Sequence, residues 1–110
     1  MPTTLHDLEQ AFEATFARNE EFRLLLAARR DGLFARWAAD RLRLSDRTAN
    51  ALVKSVLATP NGPGHDQALV GRVAGALSSS GEQVQERELS AALEFCGQEA
   101  RRQLLHSLAP

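Results

Sequence analysis

Apolar side chains recur every three or four residues along most of the chain, the spacing that places them on one face of an α-helix. The pattern starts with a segment from about residue 5 to residue 17, whose apolar face carries Leu5, Leu8, Phe12 and Phe16. Acidic and amide side chains lie on its other side. This segment is therefore predicted to be a short amphipathic helix.

Capping and helix-breaking residues divide the chain into further helices. Thr4, with Asp7 three residues later, predicts the start of the first helix, and Asn19 and Ser45 predict the next two starts. The turn-forming stretch TPNGPG ends the third helix, and Gly81 ends the fourth. Four longer helices are thus predicted over about residues 20–42, 46–58, 65–79 and 85–108.

Each longer helix has an apolar stripe of its own. The predicted inward residues are Phe22, Leu25, Leu26, Leu33 and Trp37, then Ala49, Leu52, Val53 and Val56, then Leu69, Val70, Val73 and Leu77, and finally Leu89, Leu93, Cys96, Ala100 and Leu104. Trp37 is expected to be largely buried. No segment alternates as a strand would. The sequence predicts an all-α fold, a small antiparallel four-helix bundle over residues 19–110 with an additional short N-terminal helical segment over residues 1–18.

Composition narrows the classes of partner. The chain has 110 residues, of which 25% are charged, with a formal net charge of -1. This balance gives no support for a nucleic-acid or anionic-membrane partner, which would favour a basic surface. The longest apolar run, residues 24–28, is far too short to cross a bilayer, so no membrane insertion is expected. The single cysteine cannot form an internal disulfide, which favours an intracellular protein.

Motifs of enzyme chemistry are missing from the sequence. It contains no glycine-rich phosphate loop, no paired-cysteine motif and no Gly-x-Ser-x-Gly turn. His6, His65 and His106 are dispersed and are each interpreted as surface histidines, and Cys96 as a buried structural residue. The sequence therefore predicts no enzymatic activity, no metal and no cofactor.

The adjacent pair Arg29 and Arg30 could hold a phosphate or a carboxylate, because guanidinium groups bind these anions well. They are candidates for anion or nucleotide binding. The competing interpretation is solvated helix charge, or an ion pair with Asp31 or Glu99, and the residues alone favour it.

Two stretches carry a resemblance to a known family. The first consists of Ala11-Phe12-Glu13, Phe16-Ala17 and Glu20-Glu21, and the second of Ala28-Arg29-Arg30, Leu33 and Trp37-Ala38-Ala39. In spacing and register they resemble the AFE-x-KFA and ARR-x-x-L-x-x-x-WAA patterns of the zeta subunits. These are inhibitors of the F-type ATP synthases of alphaproteobacteria. Further along the chain the match is mainly in the layout of helices.

The resemblance implies a regulatory inhibitor that binds the catalytic head of F-type ATP synthase, cytoplasmic and peripheral to the inner membrane. The N-terminal helix would insert between catalytic subunits and block rotation in the ATP-hydrolysing direction. The residues in contact with the partner would then be Leu5, Leu8, Glu9, Phe12, Glu13 and Phe16. Periodicity alone favours a second interpretation, in which the apolar members of this set complete the bundle core.

Two alternative functions stay open at this point. One is a helical adaptor that uses the same N-terminal face for a different protein partner. The other is a bundle that binds a small ligand or a nucleotide, weakly, with Arg29 and Arg30 holding its phosphates.

Overall fold

The computed structural model describes residues 4–16 and 20–108, which form five α-helices and no strand. The helices are α1 (Leu5–Phe16), α2 (Glu20–Arg41), α3 (Asp46–Leu57), α4 (His65–Ser79) and α5 (Glu86–Leu108). The predicted all-α fold is confirmed, and the helix boundaries agree closely with the predicted ones. The predicted cap Asn19 and the side chains of Phe12 and Phe16 lie outside the described part.

The predicted helix caps form hydrogen bonds. The Asp7 amide donates to the Thr4 hydroxyl at 3.1 Å, and the Thr4 amide donates to the Asp7 carboxylate at 3.3 Å. This reciprocal pair is a capping box with aspartate in the acceptor position. The Ser45 hydroxyl accepts from the Thr48 amide at the start of α3. Local sequence therefore explains where α1 and α3 begin.

Helices α4 and α2 are each followed by a residue with a left-handed backbone conformation. Gly81 has φ +83° beyond α4, and the Glu82 amide donates to the Leu77 carbonyl at 2.9 Å, as in a Schellman motif. Beyond α2 the corresponding residue is Arg43, with φ +54°, a conformation that costs a non-glycine residue roughly 1–2 kcal/mol. The turn after α2 therefore forms without the usual glycine signal.

Helix α2 is the centre of the bundle. It runs antiparallel to α5, since Arg29 contacts Gln103 near one end of the pair and Arg41 contacts Glu88 near the other. Helix α3 packs extensively on α2, and α4 contacts α2, α3 and α5. No helix in the described residues is long and apolar enough to span a membrane.

The hydrophobic core draws on α2, α3, α4 and α5. Its buried residues are Phe34, Ala35, Ala38, Val56, Leu69, Val73, Leu77, Leu89, Leu93 and Cys96. The stripes predicted for α3, α4 and α5 supply most of this set, which confirms their inward orientation. Each large side chain that is fully removed from water contributes about 1.5–3 kcal/mol. No described residue of α1 belongs to the core.

The stripe predicted for α2 is partly wrong. Leu25 is 53% exposed, and Trp37 is only partly buried, whereas Phe34 is fully buried. Trp37 stacks on Phe34 with 5.8 Å between ring centroids, and the Arg41 guanidinium lies over its other side. The reason is that α2 packs on several helices at once. Its buried side begins only at Asp31 and consists largely of alanines, which allow close approach.

The molecule is elongated. Its radius of gyration is 15.6 Å, against about 13 Å for a compact domain of this length. The overall dimensions are 54 × 28 × 26 Å. Among the described residues, helix α1 contacts α2 and α5.

Candidate functional site

A cluster of charged side chains joins α2 to the start of α4. Asp31 is buried on α2, and its carboxylate lies 2.7 Å from Nε2 of His65, the first residue of α4. The other ring nitrogen, Nδ1, is 2.7 Å from the Pro60 carbonyl oxygen. The turn through residues 60–64 thus folds back so that His65 faces inward, and the prediction of a surface histidine is wrong for His65.

Both ring nitrogens of His65 face acceptors. A carbonyl oxygen and an ionised carboxylate accept hydrogen bonds, so the imidazolium form, which donates from both nitrogens, satisfies them best. The bond to the Pro60 carbonyl, followed by the bond to Asp31, raises the pKa of His65. The side chain of His65 is 12% exposed and that of Asp31 is 6% exposed, so solvent screens this pair little.

Arg30 completes the charged cluster. Its guanidinium makes a two-point contact with Asp66, at 2.7 and 3.3 Å, and its Nε donates to Asp31 at 3.0 Å. Burial alone would lower the pKa of Arg30. The bonds to Asp66 and Asp31 have the larger combined effect, so the pKa of Arg30 is raised. The same contact lowers the pKa of Asp66. Two carboxylates thus hold two cations, and the cluster connects α2 with α4.

The charged cluster predicts how stability depends on pH. The folded state raises the pKa of His65 above the unfolded value of about 6.5. The contribution of charged His65 to the free energy of unfolding is therefore complete at pH values below the unfolded pKa. The contribution is lost as pH rises through the folded-state pKa. A charge-assisted hydrogen bond contributes about 1.5–3 kcal/mol. His65→Gln should therefore destabilise the protein by roughly that amount near pH 5.5, and by less near pH 8.

Urea unfolding of both proteins at several pH values tests this, with His106→Gln as the control because His106 is exposed on α5. A stability difference between the parent and His65→Gln that stays constant across this pH range would contradict the assignment of charge to His65.

The predicted anion-binding arginines lie in different surroundings. Arg30 is held by Asp31 and Asp66 as described, whereas Arg29 is exposed and donates to the Gln103 side chain at 3.2 Å. Of the two ion-pair partners weighed from the sequence, Asp31 contacts Arg30, and Glu99 instead pairs with Arg102. An incoming phosphate would have to compete with the carboxylates for Arg30.

Of the residues predicted to contact a partner, the structure describes the side chains of Leu5, Leu8, Glu9 and Glu13 on α1. Leu5 is 58% exposed, and Leu8 is partly buried. Glu9 and Glu13 both point at Arg101 of α5: Glu9 accepts from its Nε at 3.0 Å, and Glu13 contacts its terminal nitrogen. The structure thus brings the two acidic residues together on a single arginine.

A crevice remains between α1 and α5. It has a volume of about 310 Å³, and its lining includes Leu5, Glu9, Arg101 and Leu105. Space of this size exceeds that of several water molecules. Among the described side chains, α1 therefore contacts α5 through charged groups, with an open space beside Leu5.

An open groove of about 950 Å³ lies between α4 and α5. The floor is apolar and includes Val70, Ala74, Val84, Leu89 and Leu93. Charged residues lie at the rim, among them Arg30, Asp66 and Arg101. A groove with this distribution of polarity suits an apolar or amphipathic ligand.

Cys96 lies where the sequence placed it, on the inner side of α5. It is 5% exposed, and burial raises the pKa of its thiol, while the charge of Arg30 acts in the opposite direction. A thiol with a raised pKa is a poor nucleophile. No group of three or more potential metal ligands occurs among the described residues.

Sequence reasoning did not find the Asp31–His65 pair or the role of Arg101. Asp31 is the only buried carboxylate among the described residues, and it lies on a helix rich in other charged residues. Nothing in its immediate sequence distinguishes it from the others. A histidine directly after a turn and at the start of a helix was a usable signal only for the bond from Nδ1 of His65 to the Pro60 carbonyl oxygen.

The comparisons with known proteins give one match. The family model of ATPase inhibitor subunit zeta matches residues 2–103 of the chain. No curated protein and no solved structure matches. The family match covers all five helices up to the last turn and a half of α5.

Proposed function

Because the chain belongs to the ATPase inhibitor subunit zeta family, we propose that it is a non-catalytic regulator of an F-type ATP synthase. In this proposal it binds the catalytic head and inhibits ATP hydrolysis. Helix α1 is the inhibitory element: it inserts between catalytic subunits and blocks rotation in the hydrolysing direction. Residues 1–18 thus act on the partner, and residues 19–110 form the folded body that stays outside.

One observation carries this assignment: among the described side chains, the hydrophobic core comes from α2, α3, α4 and α5, including the fully buried Phe34, Leu69 and Val73. Leu5 and Leu8, the members of the apolar face of α1 whose side chains the structure describes, do not belong to this core. These two leucines are therefore available to a second protein.

The chemistry of α1 suits insertion into a groove of another protein. An amphipathic helix is recognised through apolar side chains three and four residues apart, which is the spacing of Leu5, Leu8, Phe12 and Phe16. Leu5 is largely exposed in the free protein, so a partner gains by covering it. Complete burial of one such side chain contributes about 1.5–3 kcal/mol to binding. Glu9 and Glu13 add acceptors for basic side chains beside the apolar face.

The proposed partner also determines where the protein acts. The catalytic head of the synthase is attached to the inner membrane, and the inhibitor reaches the membrane only through it. The chain needs no membrane-spanning helix of its own for this role.

The ligand-binding alternative has one observation in its favour. Arg30 lies at the rim of the groove between α4 and α5, so a phosphate there would be near an apolar floor. Against it, Arg30 already contacts two carboxylates. We expect weak binding or none when ATP is titrated against the amide resonances of Arg29 and Arg30. Saturable shifts at low concentration would favour the ligand-binding function.

ATP hydrolysis by the purified cognate head, titrated with the intact protein, tests the proposed function. We expect inhibition at concentrations close to those of the enzyme. Two matched variants locate the inhibitory surface: Leu5→Asp on α1 and Leu57→Asp on α3, both replacing an exposed leucine. Leu5→Asp should weaken inhibition at least tenfold, since it removes apolar burial and introduces a charge. Equal effects of both variants would contradict the role of α1.

A further inference from the structure

Arg101 connects α1 to the bundle. It lies on α5 and contacts Glu9 and Glu13, which are four residues apart and so share one face of α1. We refer to this three-residue contact as the Arg101 clasp. The neighbouring Arg102 behaves differently, since it pairs with Glu99 on its own helix. The sequence thus contains two adjacent arginines, of which only Arg101 reaches α1.

On the side of Leu5, the contact between α1 and α5 is loose. The crevice of about 310 Å³ separates the helices on the side of Leu5 and Leu105. Leu5 is 58% exposed despite lining the crevice. Among the described side chains of α1, the direct contacts with α5 are those of the charged clasp, and the docked position of α1 depends on them. Partly exposed ion pairs are individually weak, so the contact is reversible.

The clasp uses the same part of α1 that is proposed to enter the synthase. Helical spacing of 100° per residue places Glu9 and Glu13 directly beside the apolar stripe that begins with Leu5. When these residues face α5, they are not available to a groove of another protein. Docking on α5 and insertion into a partner are therefore mutually exclusive states of α1.

We propose that the Arg101 clasp is an autoinhibitory contact that keeps the inhibitory helix stored on α5 until the synthase binds it. This inference rests on the proposed function of α1. Two partly exposed ion pairs favour the docked state by roughly 5- to 30-fold. The affinity for the synthase is reduced by the fraction of molecules in the released state. Weakening the clasp should consequently make the protein a stronger inhibitor.

The storage of α1 is tested without the synthase, by amide hydrogen exchange of the intact protein. An isolated helix of about 12 residues is marginally stable in water, so a released α1 exchanges faster. Arg101→Gln should raise the exchange of α1 amides by roughly 5- to 30-fold. Arg101→Lys, which keeps the charge but loses the two-point contact, should have a smaller effect. Arg102→Gln is the matched control and should leave α1 unchanged.

The same variants are then titrated against ATP hydrolysis by the cognate head. Arg101→Gln should inhibit ATP hydrolysis roughly 3- to 10-fold more tightly than the parent protein does. Arg102→Gln should inhibit it as tightly as the parent protein. Unchanged exchange in Arg101→Gln would overturn the clasp itself. Faster exchange with unchanged or weaker inhibition would overturn its autoinhibitory role. If Arg101→Gln exchanges faster but the parent protein does not inhibit the head, the clasp is supported and the proposed function is rejected.

Discussion

Replacing Phe34 by alanine is expected to lower the free energy of unfolding by about 3–5 kcal/mol, much of the stability of a small domain. Phe34 is 0% exposed and has the largest side chain among the fully buried residues. It packs in the core together with residues of three other helices. The cavity left by alanine cannot close without moving helices, so the loss includes a cavity contribution as well as the lost burial.

Trp37→Ala provides the comparison for Phe34→Ala. Trp37 stacks on Phe34 and contacts Arg41, but it is only partly buried and solvent can fill the space it leaves. We expect a loss of about 2 kcal/mol, smaller than for Phe34 although tryptophan is the larger side chain. Urea unfolding monitored by circular dichroism measures both losses. A larger loss for Trp37→Ala would show that the core is centred elsewhere.

Removing residues 1–17 is expected to abolish inhibition of ATP hydrolysis while leaving the bundle folded. No described residue of α1 contributes to the core, so the truncated protein keeps every core contact of Phe34 and its neighbours. Loss of the clasp removes only partly exposed ion pairs, worth at most about 1 kcal/mol each. Without α1, however, the body has no helix to insert between catalytic subunits. Circular dichroism and a melting curve show whether the body stays folded.

Much of the fold could be predicted because its signals are local. Ser45 predicts the start of α3 and Gly81 predicts the end of α4, because both caps involve only neighbouring residues. The inward faces of α3, α4 and α5 follow from periodicity, because each of these helices has a single apolar stripe.

The face of α2 could not be predicted in the same way. This helix contacts α3, α4 and α5, so its buried side is wider than one stripe and includes Asp31 and small residues. An exposed leucine such as Leu25 fits the same period as a buried one. Periodicity identifies which residues share a face, but only tertiary packing decides how far along the helix that face is covered.

The candidate site was predictable in part. The apolar and acidic pattern of α1 is visible in the sequence, and the role of these residues in partner binding stays a prediction. The contact of Glu9 with Arg101 joins residues 92 positions apart, and no local pattern indicates it. His65 and Asp31, 34 positions apart, present the same difficulty. Interactions between distant charges depend on the arrangement of helices, which one sequence does not specify.

The most direct test of the central claim is ATP hydrolysis by the purified cognate synthase head, titrated in parallel with the intact protein and with the protein lacking residues 1–17. We expect the intact protein to inhibit hydrolysis and the shortened one, folded as judged by circular dichroism, not to inhibit it. Inhibition of equal strength by both proteins would contradict the assignment of α1 as the inhibitory element, and inhibition by neither would contradict the proposed function.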